Sequence, residues 1–272
     1  MIDIHCHILW GIDDGSASAE ESLEMGRIAA ACDVSDIIAT PHCIPGRFEN
    51  YCGSELDKSF ELLFEGLSGS RTASSLRIHR GMEVFASPDT LADYDDGALL
   101  SLADSRYMLI ECAFDETPSF FRGVLKGLAS RGVHPVIAHP ERYFFAQDDL
   151  RYLFDFLDMG CSLQLDTSSI AGGFGRRCRE TAMELLASGA VQLAASDAHD
   201  ADIRSPDMRP AWEIVANEFT ARYADLIFNV NPRRILQDDR LRFPGREELD
   251  RRERRTPSSR PRFMTDEEYW GD

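Results

Sequence analysis

Met1-Ile-Asp-Ile-His-Cys-His7 opens the chain. Residues 2–5 read as a short buried strand, and the run ends in two histidines one residue apart. Side chains at i and i+2 on a strand share a face, so His5 and His7 can serve one ion while Cys6 faces away. Six more short apolar runs follow, at residues 36–40, 76–80, 107–112, 135–138, 161–165 and 191–195. Several are apolar on consecutive positions, as expected of strands buried on both faces. Between them, residues 20–32, 54–67, 119–131, 148–159, 176–188 and 206–219 carry apolar side chains at helical spacing. Repeated strand–helix alternation predicts an α/β fold with a mainly parallel sheet. About seven such units in 272 residues predict a closed or nearly closed barrel, with an open doubly wound sheet as the alternative.

The ends of these runs carry the chemistry. The first ends in His5-Cys-His7 and the second in Thr40-Pro-His42. The third leads to Gly81-Met-Glu83, and the fourth ends at Glu111. The fifth ends in His139-Pro-Glu-Arg142 and the last in Ser196-Asp-Ala-His199. A barrel gathers its active site at the C-terminal ends of its strands, so these distant residues are expected to converge. Asp197 and His199 repeat the i, i+2 geometry of His5 and His7. Asp13-Asp14-Gly15 follows closely, and one of its carboxylates could reach the cluster; an ordinary Asp-Gly turn is an equal reading. His79 and His134 sit away from strand ends and are read as structural, and Cys6 and Cys43 as packing. A nitrogen and oxygen donor set without thiolate points to manganese, iron, zinc or magnesium rather than a structural zinc site.

Composition narrows the class. The formal charge of -18 disfavours nucleic acid and anionic membrane surfaces. The seven cysteines form no C-x-x-C pair, so a disulfide framework is not expected and a reducing cytoplasm is. No signal peptide or long apolar run is visible, and no membrane insertion is expected. A cysteine-based phosphatase needs arginine six residues after its nucleophile. The residues at that offset are Ile12, Ile38, Glu49, Lys58, Pro118, Thr167 and Glu184, so that mechanism is excluded. The lysines, Lys58 and Lys126, both fall in expected helices, which argues against a carboxylated-lysine amidohydrolase. Gly172-Gly-Phe-Gly175 follows no strand in the dinucleotide-binding pattern.

Several stretches together resemble the polymerase and histidinol phosphatase (PHP) superfamily, and within it the bacterial PHP-type tyrosine-protein phosphatases of capsule and exopolysaccharide synthesis. They are residues 1–15, Ile38-Ala-Thr-Pro-His42, Gly81-Met-Glu83, Ile137-Ala-His-Pro-Glu-Arg142 and Ala195-Ser-Asp-Ala-His199. Weaker matches are Ser168-Ser169 with residues 172–175, and Asn231-Pro232-Arg233. The resemblance implies a distorted seven-stranded barrel holding three divalent ions, manganese first among them. One ion would take His5, His7, Glu83 and Asp197. A second would share Glu83 and add Glu111 and His139, and a third would take Asp14, His42 and His199. Arg142 and Arg204 would hold the phosphate. Asp14, His42 and His199 would also act in catalysis.

Three divalent ions would outweigh the carboxylates of Asp14, Glu83, Glu111 and Asp197 by two charges, leaving an electropositive site in an acidic protein. The implied activity is hydrolysis of phosphotyrosine, on a bacterial tyrosine kinase that controls capsule synthesis. A small-molecule phosphatase such as a histidinol phosphatase, a phosphodiesterase, or a non-catalytic metal-binding module that docks the kinase are the alternatives. Trp10, where relatives often carry proline, and Asp166-Thr167, where Asn-Ala is common, depart from the pattern.

The resemblance covers about residues 1–237. Residues 221–236 read as helix, with Asn231-Pro232 marking a break and restart. From Asp238 the apolar pattern fades and residues 246–255 are almost entirely charged. The expected division is a phosphatase domain over 1–237 and a charged, flexible tail over 238–272, helical in part at most. Tyr269, beside Asp266, Glu267 and Glu268, has the setting of a tyrosine-phosphorylation site, although a polar terminus without a role is the simpler expectation.

Overall fold

Strands and helices alternate along the computed structural model, which describes residues 1–69, 73 and 75–249. The strands are β1 (Ile2–Cys6), β2 (Asp36–Ala39), β3 (His42–Ile44), β4 (Phe48–Glu49), β5 (Arg77–Arg80), β6 (Glu83–Phe85), β7 (Tyr107–Glu111), β8 (His134–Ala138), β9 (Ser162–Asp166) and β10 (Leu193–Ala195). They form two sheets, ordered β1-β2-β5 and β10-β9-β8-β7-β6-β3-β4. Every pairing is parallel except the β3–β4 hairpin. The sheets meet where Cys6 bridges Ala198. There the His7 amide donates to the Ala198 carbonyl at 2.8 Å and the Asp197 amide to the His5 carbonyl at 2.9 Å.

The helices are α1 (Ala19–Ala31), α2 (Ser54–Ser68), α3 (Thr90–Asp95), α4 (Pro118–Ala129), α5 (Phe144–Asp148), α6 (Arg151–Asp158), α7 (Thr167–Ala171), α8 (Gly175–Ser188), α9 (Arg209–Glu218), α10 (Ala221–Asp225), α11 (Asn231–Leu236) and α12 (Arg246–Leu249). Local chemistry explains several of them. Ser18 caps α1 by accepting from the Glu21 amide. Pro118 starts α4, which buries Phe121, Val124, Leu125 and Leu128 along one stripe. Strand alternation divides the core. Tyr107, Leu109, Val136, Ala138, Leu193 and Ala195 join Ile2, Ile4 and Ile38 in one cluster. Met108, Ile110, Ile137 and Ala194 pack in the larger cluster that includes the helices. Burial on both faces is why several of these runs are apolar on consecutive positions.

All seven expected strand runs are present within a residue or two at each end. The difference lies in β3, β4 and β6, which were not expected. The second and third runs break, and short new strands begin at His42 and Glu83. Those two ligand-type residues therefore open strands instead of closing them. Pro41 has no N–H to continue the β2 ladder. The chain restarts beyond it, with the Glu83 amide donating to the Pro41 carbonyl at 3.0 Å. Gly81 makes the second break possible, since a Cβ there would lie 2.6 Å from Ile38 Cγ2.

The helix expected over 148–159 is α6, and a short unexpected helix, α5, precedes it. Asp149 is extended (φ -156°) and its carboxylate accepts from the Arg151 amide at 3.0 Å. The break and restart at Asn231-Pro232 is met by a π-helical turn, Leu226–Val230, running into α11 with Pro232 in its first turn. Beyond Leu236 the chain stays on the body as far as it is described. Arg106 pairs with Asp238 at 2.9 Å, and the buried Leu241 donates its amide to the Tyr107 hydroxyl at 3.2 Å. Tyr269 and the charged residues from 250 lie outside the described residues. Among the described residues, no helix is long and apolar enough to cross a membrane.

Candidate metal centre

The strand ends bring His5, His7, Glu83 and Asp197 into one buried group. His5 Nε2 lies 3.0 Å from Glu83 Oε2 and 3.3 Å from Asp197 Oδ1. His7 Nε2 lies 3.2 Å and 3.3 Å from the same two oxygens. The two Nε2 atoms are 3.1 Å apart. Their tautomers follow from the groups behind them. Gln164 donates its amide N–H to the Leu165 carbonyl, so its oxygen faces His5 Nδ1 at 2.9 Å and accepts from it. Asp13 accepts from His7 Nδ1 at 2.9 Å. Both Nε2 atoms are then bare lone pairs, facing each other and two carboxylate oxygens, which is an arrangement a cation holds together.

Two further groups adjoin. His42 Nδ1 lies 3.0 Å from Glu83 Oε2 and 3.0 Å from Glu111 Oε1. His42 Nε2 lies 3.4 Å, and His199 Nε2 3.6 Å, from Asp14 Oδ1. His199 Nδ1 donates to the Asp197 carbonyl at 2.9 Å, leaving its Nε2 free for the cluster. Candidate ligand atoms fall within 4.8 Å of one another in three sets: His5, His7, Glu83 and Asp197; His42, Glu83 and Glu111; and His7, Asp14, His42 and His199. His139 joins from the side, with Nε2 2.9 Å from Glu83 Oε1 and 3.8 Å from Glu111 Oε2. All nine expected ligand residues are thus together. Both His139 and Asp197 hold left-handed backbone, at φ 34° and 48°, a strained geometry for non-glycine residues.

The donor set fits divalent metal. Glu83 Oε2, Glu111 Oε1, Asp197 Oδ1 and His42 Nδ1 are buried with no hydrogen-bond partner among the described residues. Buried polar atoms are rarely left so. Electrostatics points the same way. Burial alone would raise the Glu83 carboxyl, but the charges of His5 and His42 hold it well below its ordinary value. Asp197 behaves likewise against His5, His7 and Arg204. Burial would lower His42, yet Glu83 and Glu111 raise it to about 10. Ionised carboxylates that draw positive charge onto imidazoles are what divalent ions satisfy while leaving the histidines neutral.

The two expected arginines flank the cluster. Asp197 Oδ2 accepts from Arg142 Nη1 at 3.0 Å and from Arg204 Nη2 at 2.6 Å. Arg142 lies between the rings of Phe114 and Phe174, 4.6 and 4.4 Å from their centroids. A pocket of about 220 Å³ opens over the site, lined by both arginines, Asp14, His42, His139, Asp197 and His199 and by the apolar Ile44, Phe85, Ala113 and Phe114.

Sequence reasoning left the Asp13-Asp14-Gly15 segment undecided, and the structure gives it both readings. Asp14 reaches the cluster. Asp13 takes the His7 Nδ1 proton, the His42 amide at 2.9 Å and the Gly15 amide at 2.9 Å. Gly15 is required by crowding, since a Cβ there would meet the His7 carbonyl at 2.3 Å. Gln164 was missed, as was Glu141 behind Arg142, and Asp166 stood out only as a departure from the family pattern. Asp166 Oδ2 is buried, lies 3.9 Å from Arg142 Nη1 and lacks a hydrogen-bond partner among the described residues. The available signal was a strand, Ser162–Asp166, whose polar residues alternate while every position is buried.

Comparison with known proteins places these features in a lineage. The family model for capsular polysaccharide synthesis proteins CpsB/CapC matches residues 1–237. The chain is 32% identical over 219 residues to tyrosine-protein phosphatase YwqE of Bacillus subtilis, covering 80% of this chain and 85% of that protein. It is 32% identical over 243 residues to tyrosine-protein phosphatase CpsB of Streptococcus pneumoniae, covering 88% and 99%. A solved structure from work on YwqE and CpsB as metal-dependent tyrosine phosphatases superposes with a TM-score of 0.84 at 30% identity, over 90% of this chain and 97% of that one. A histidinol phosphate phosphatase from Lactococcus lactis shares the fold at TM-score 0.52 and 11% identity, over 84% of this chain and 94% of that one.

Proposed function

Because the chain belongs to the capsular polysaccharide synthesis CpsB/CapC family, we propose that it is a metal-dependent tyrosine-protein phosphatase. The observation that carries this reading is the convergence of buried Glu83, Glu111 and Asp197 oxygens without a hydrogen-bond partner among the described residues. Three divalent ions, manganese before iron, zinc or magnesium, account for them. His5, His7, Glu83 and Asp197 hold the first, since His7 has only its Nε2 to give. Glu83, Glu111 and His139 hold the second. Asp14, His42 and His199 hold the third. A neutral imidazole has one lone pair, so His42 gives Nε2, the ring nitrogen nearest Asp14, to the third ion. Bound there, such ions supply Lewis acidity and a nucleophile at neutral pH.

The chain's own groups do the rest. Arg142 and Arg204 hold the phosphoryl oxygens, a task suited to the planar guanidinium. Asp13 and Gln164 fix the imidazoles that face the ions. The tyrosyl leaving group has a pKa near ~10, so its departure asks less of a proton donor than an alkoxide would. The barrel is supported by the broken strands: counting β2 with β3 and β5 with β6, seven strands follow one another round to the Cys6–Ala198 bridge. Residues 1–237 carry this chemistry. The substrate we propose is the phosphorylated tyrosine of a bacterial kinase on the cytoplasmic side of capsule synthesis.

The test is direct. Full-length protein supplied with manganese should release phosphate from phosphotyrosine peptides, and a chelator should abolish the release. Strong turnover of histidinol phosphate with none of phosphotyrosine would overturn the assignment in favour of the small-molecule reading.

A further inference from the structure

A phosphoryl group needs charge and hydrogen-bond donors, yet part of the pocket wall supplies neither. Ile44, Phe85, Ala113 and Phe114 line that part. Strand alternation explains how they come to be there. His42 and Ile44 lie two apart on β3, Glu83 and Phe85 two apart on β6, and Ala113 stands two past Glu111 at the end of β7. Side chains two apart on a strand share a face. His42 and Glu83 in the floor are therefore each followed, one level nearer the mouth, by an apolar side chain, Ile44 and Phe85. The β3–β6 ladder sets His42 level with Glu83, and so Ile44 level with Phe85, while the β6–β7 ladder sets Phe85 level with Glu111. Phe114, 38% exposed, closes the level from the loop after β7 while its ring covers Arg142.

The geometry points to this upper level as the slot for the phenyl ring of the substrate, with Phe85 and Ile44 the residues that favour aryl over alkyl phosphate esters. The inference rests on the phosphoryl group lying at the metal cluster beside Arg142 and Arg204. A ring projecting from a phosphate held there reaches the mouth through the second level, where an apolar wall strengthens binding by removing the ring from water. A short alkyl ester fills none of it. The slot thus adds a preference for aromatic esters that metal and arginine contacts, common to every phosphate, do not give.

Calorimetric titration of the manganese-supplied full chain with phenylphosphonate and methylphosphonate separates the two levels. Neither compound can be hydrolysed, and both carry the same charged head. Wild type should bind phenylphosphonate at least about tenfold more tightly, the scale expected for burying part of a ring. Phe85→Ala and Ile44→Thr should bring the ratio to about threefold or less with methylphosphonate affinity unchanged. Phe85→Leu, which keeps most of the apolar volume, should fall between. A ratio that stays near wild type in all three variants would overturn the slot. So would parallel losses for both compounds, which would place these residues in support of the metal site. If neither phosphonate binds wild type, the phosphoryl site itself is misplaced and the slot goes with it.

Discussion

Asp13→Asn tests whether the site depends on groups that never touch an ion. One carboxylate oxygen of Asp13 accepts from His7 Nδ1 at 2.9 Å and from the His42 amide at 2.9 Å, and the other takes the Gly15 amide at 2.9 Å. Asparagine keeps one oxygen and places an NH2 where the other stood. Whichever way the amide turns, a donor then faces a donor. Hydrogen bonds to a charged acceptor contribute about 1.5–3 kcal/mol each. Losing one, together with the charge that keeps the proton on His7 Nδ1, should cost about 2 kcal/mol, or roughly 30-fold. That falls within the ~10–100-fold range for partners behind metal ligands. Competition with a chelating dye should show manganese bound ~10–100-fold more weakly, and kcat/KM at fixed subsaturating metal should fall in proportion. A thermal midpoint within a few degrees of wild type would show that the fold survives. Metal affinity and turnover both within twofold of wild type would refute the idea that Asp13 sets the His7 tautomer.

Other perturbations read separate parts of the structure. Arg142→Lys keeps the charge but not the planar fork or the ring contacts with Phe114 and Phe174. KM for a phosphotyrosine peptide should rise about tenfold or more with metal content unchanged by elemental analysis; an unaltered KM would remove Arg142 from phosphate binding. Burial pushes the Asp36 carboxyl up, but hydrogen bonds from Arg77, His79 and Ser35 win and hold it at about 2. Its folded pKa lies below the unfolded value near ~3.9, so the stabilisation is present above about pH 4 and drains as pH falls toward 2. With Arg77 solvent-exposed, Asp36→Asn should cost about 1 kcal/mol at pH 6 and little at pH 2.5, read from urea midpoints; an equal cost at both would refute the linkage.

The barrel-like alternation and the ligand residues were legible because both depend on local pattern. Several runs apolar on consecutive positions announce strands buried on both faces, and a histidine or carboxylate at the end of such a run stands out against them. The breaks after Ala39 and Arg80 were less legible. Pro41 and Gly81 signal an interruption, but whether the chain turns away or restarts as β3 and β6 depends on the neighbouring strands that receive it. Gln164 and Asp13 escaped for a related reason. Their role is to face an imidazole brought from 159 and 6 residues away. A glutamine in a strand and an aspartate in a turn say nothing of that until the chain is closed. Phe114 and Phe174 looked like ordinary apolar residues, and only the Arg142 guanidinium between them gives them a place in the site.

Asp197 ties the parts of the site to one another more than any ligand list suggests. Its Oδ1 faces His5 and His7 at 3.3 Å, and its Oδ2 accepts from Arg142 at 3.0 Å and Arg204 at 2.6 Å. Its carbonyl accepts from His199 Nδ1 and from Arg204, and its amide donates to His5. The two arginines are therefore aimed by the same carboxylate that faces His5 and His7, and they should not act independently of it. Asp197→Asn removes a charged ligand and should lower kcat/KM by more than about 100-fold. Arg204→Ala alone should cost about tenfold, but adding it to Asp197→Asn should cost only a few-fold more, because the arginine has already lost its anchor. The coupling in that cycle should exceed about 0.5 kcal/mol, the margin within which independent sites add. Costs that add within that margin would mean that substrate, not Asp197, places the arginine. The phosphate clamp and the metal cluster would then be two devices that merely share a pocket.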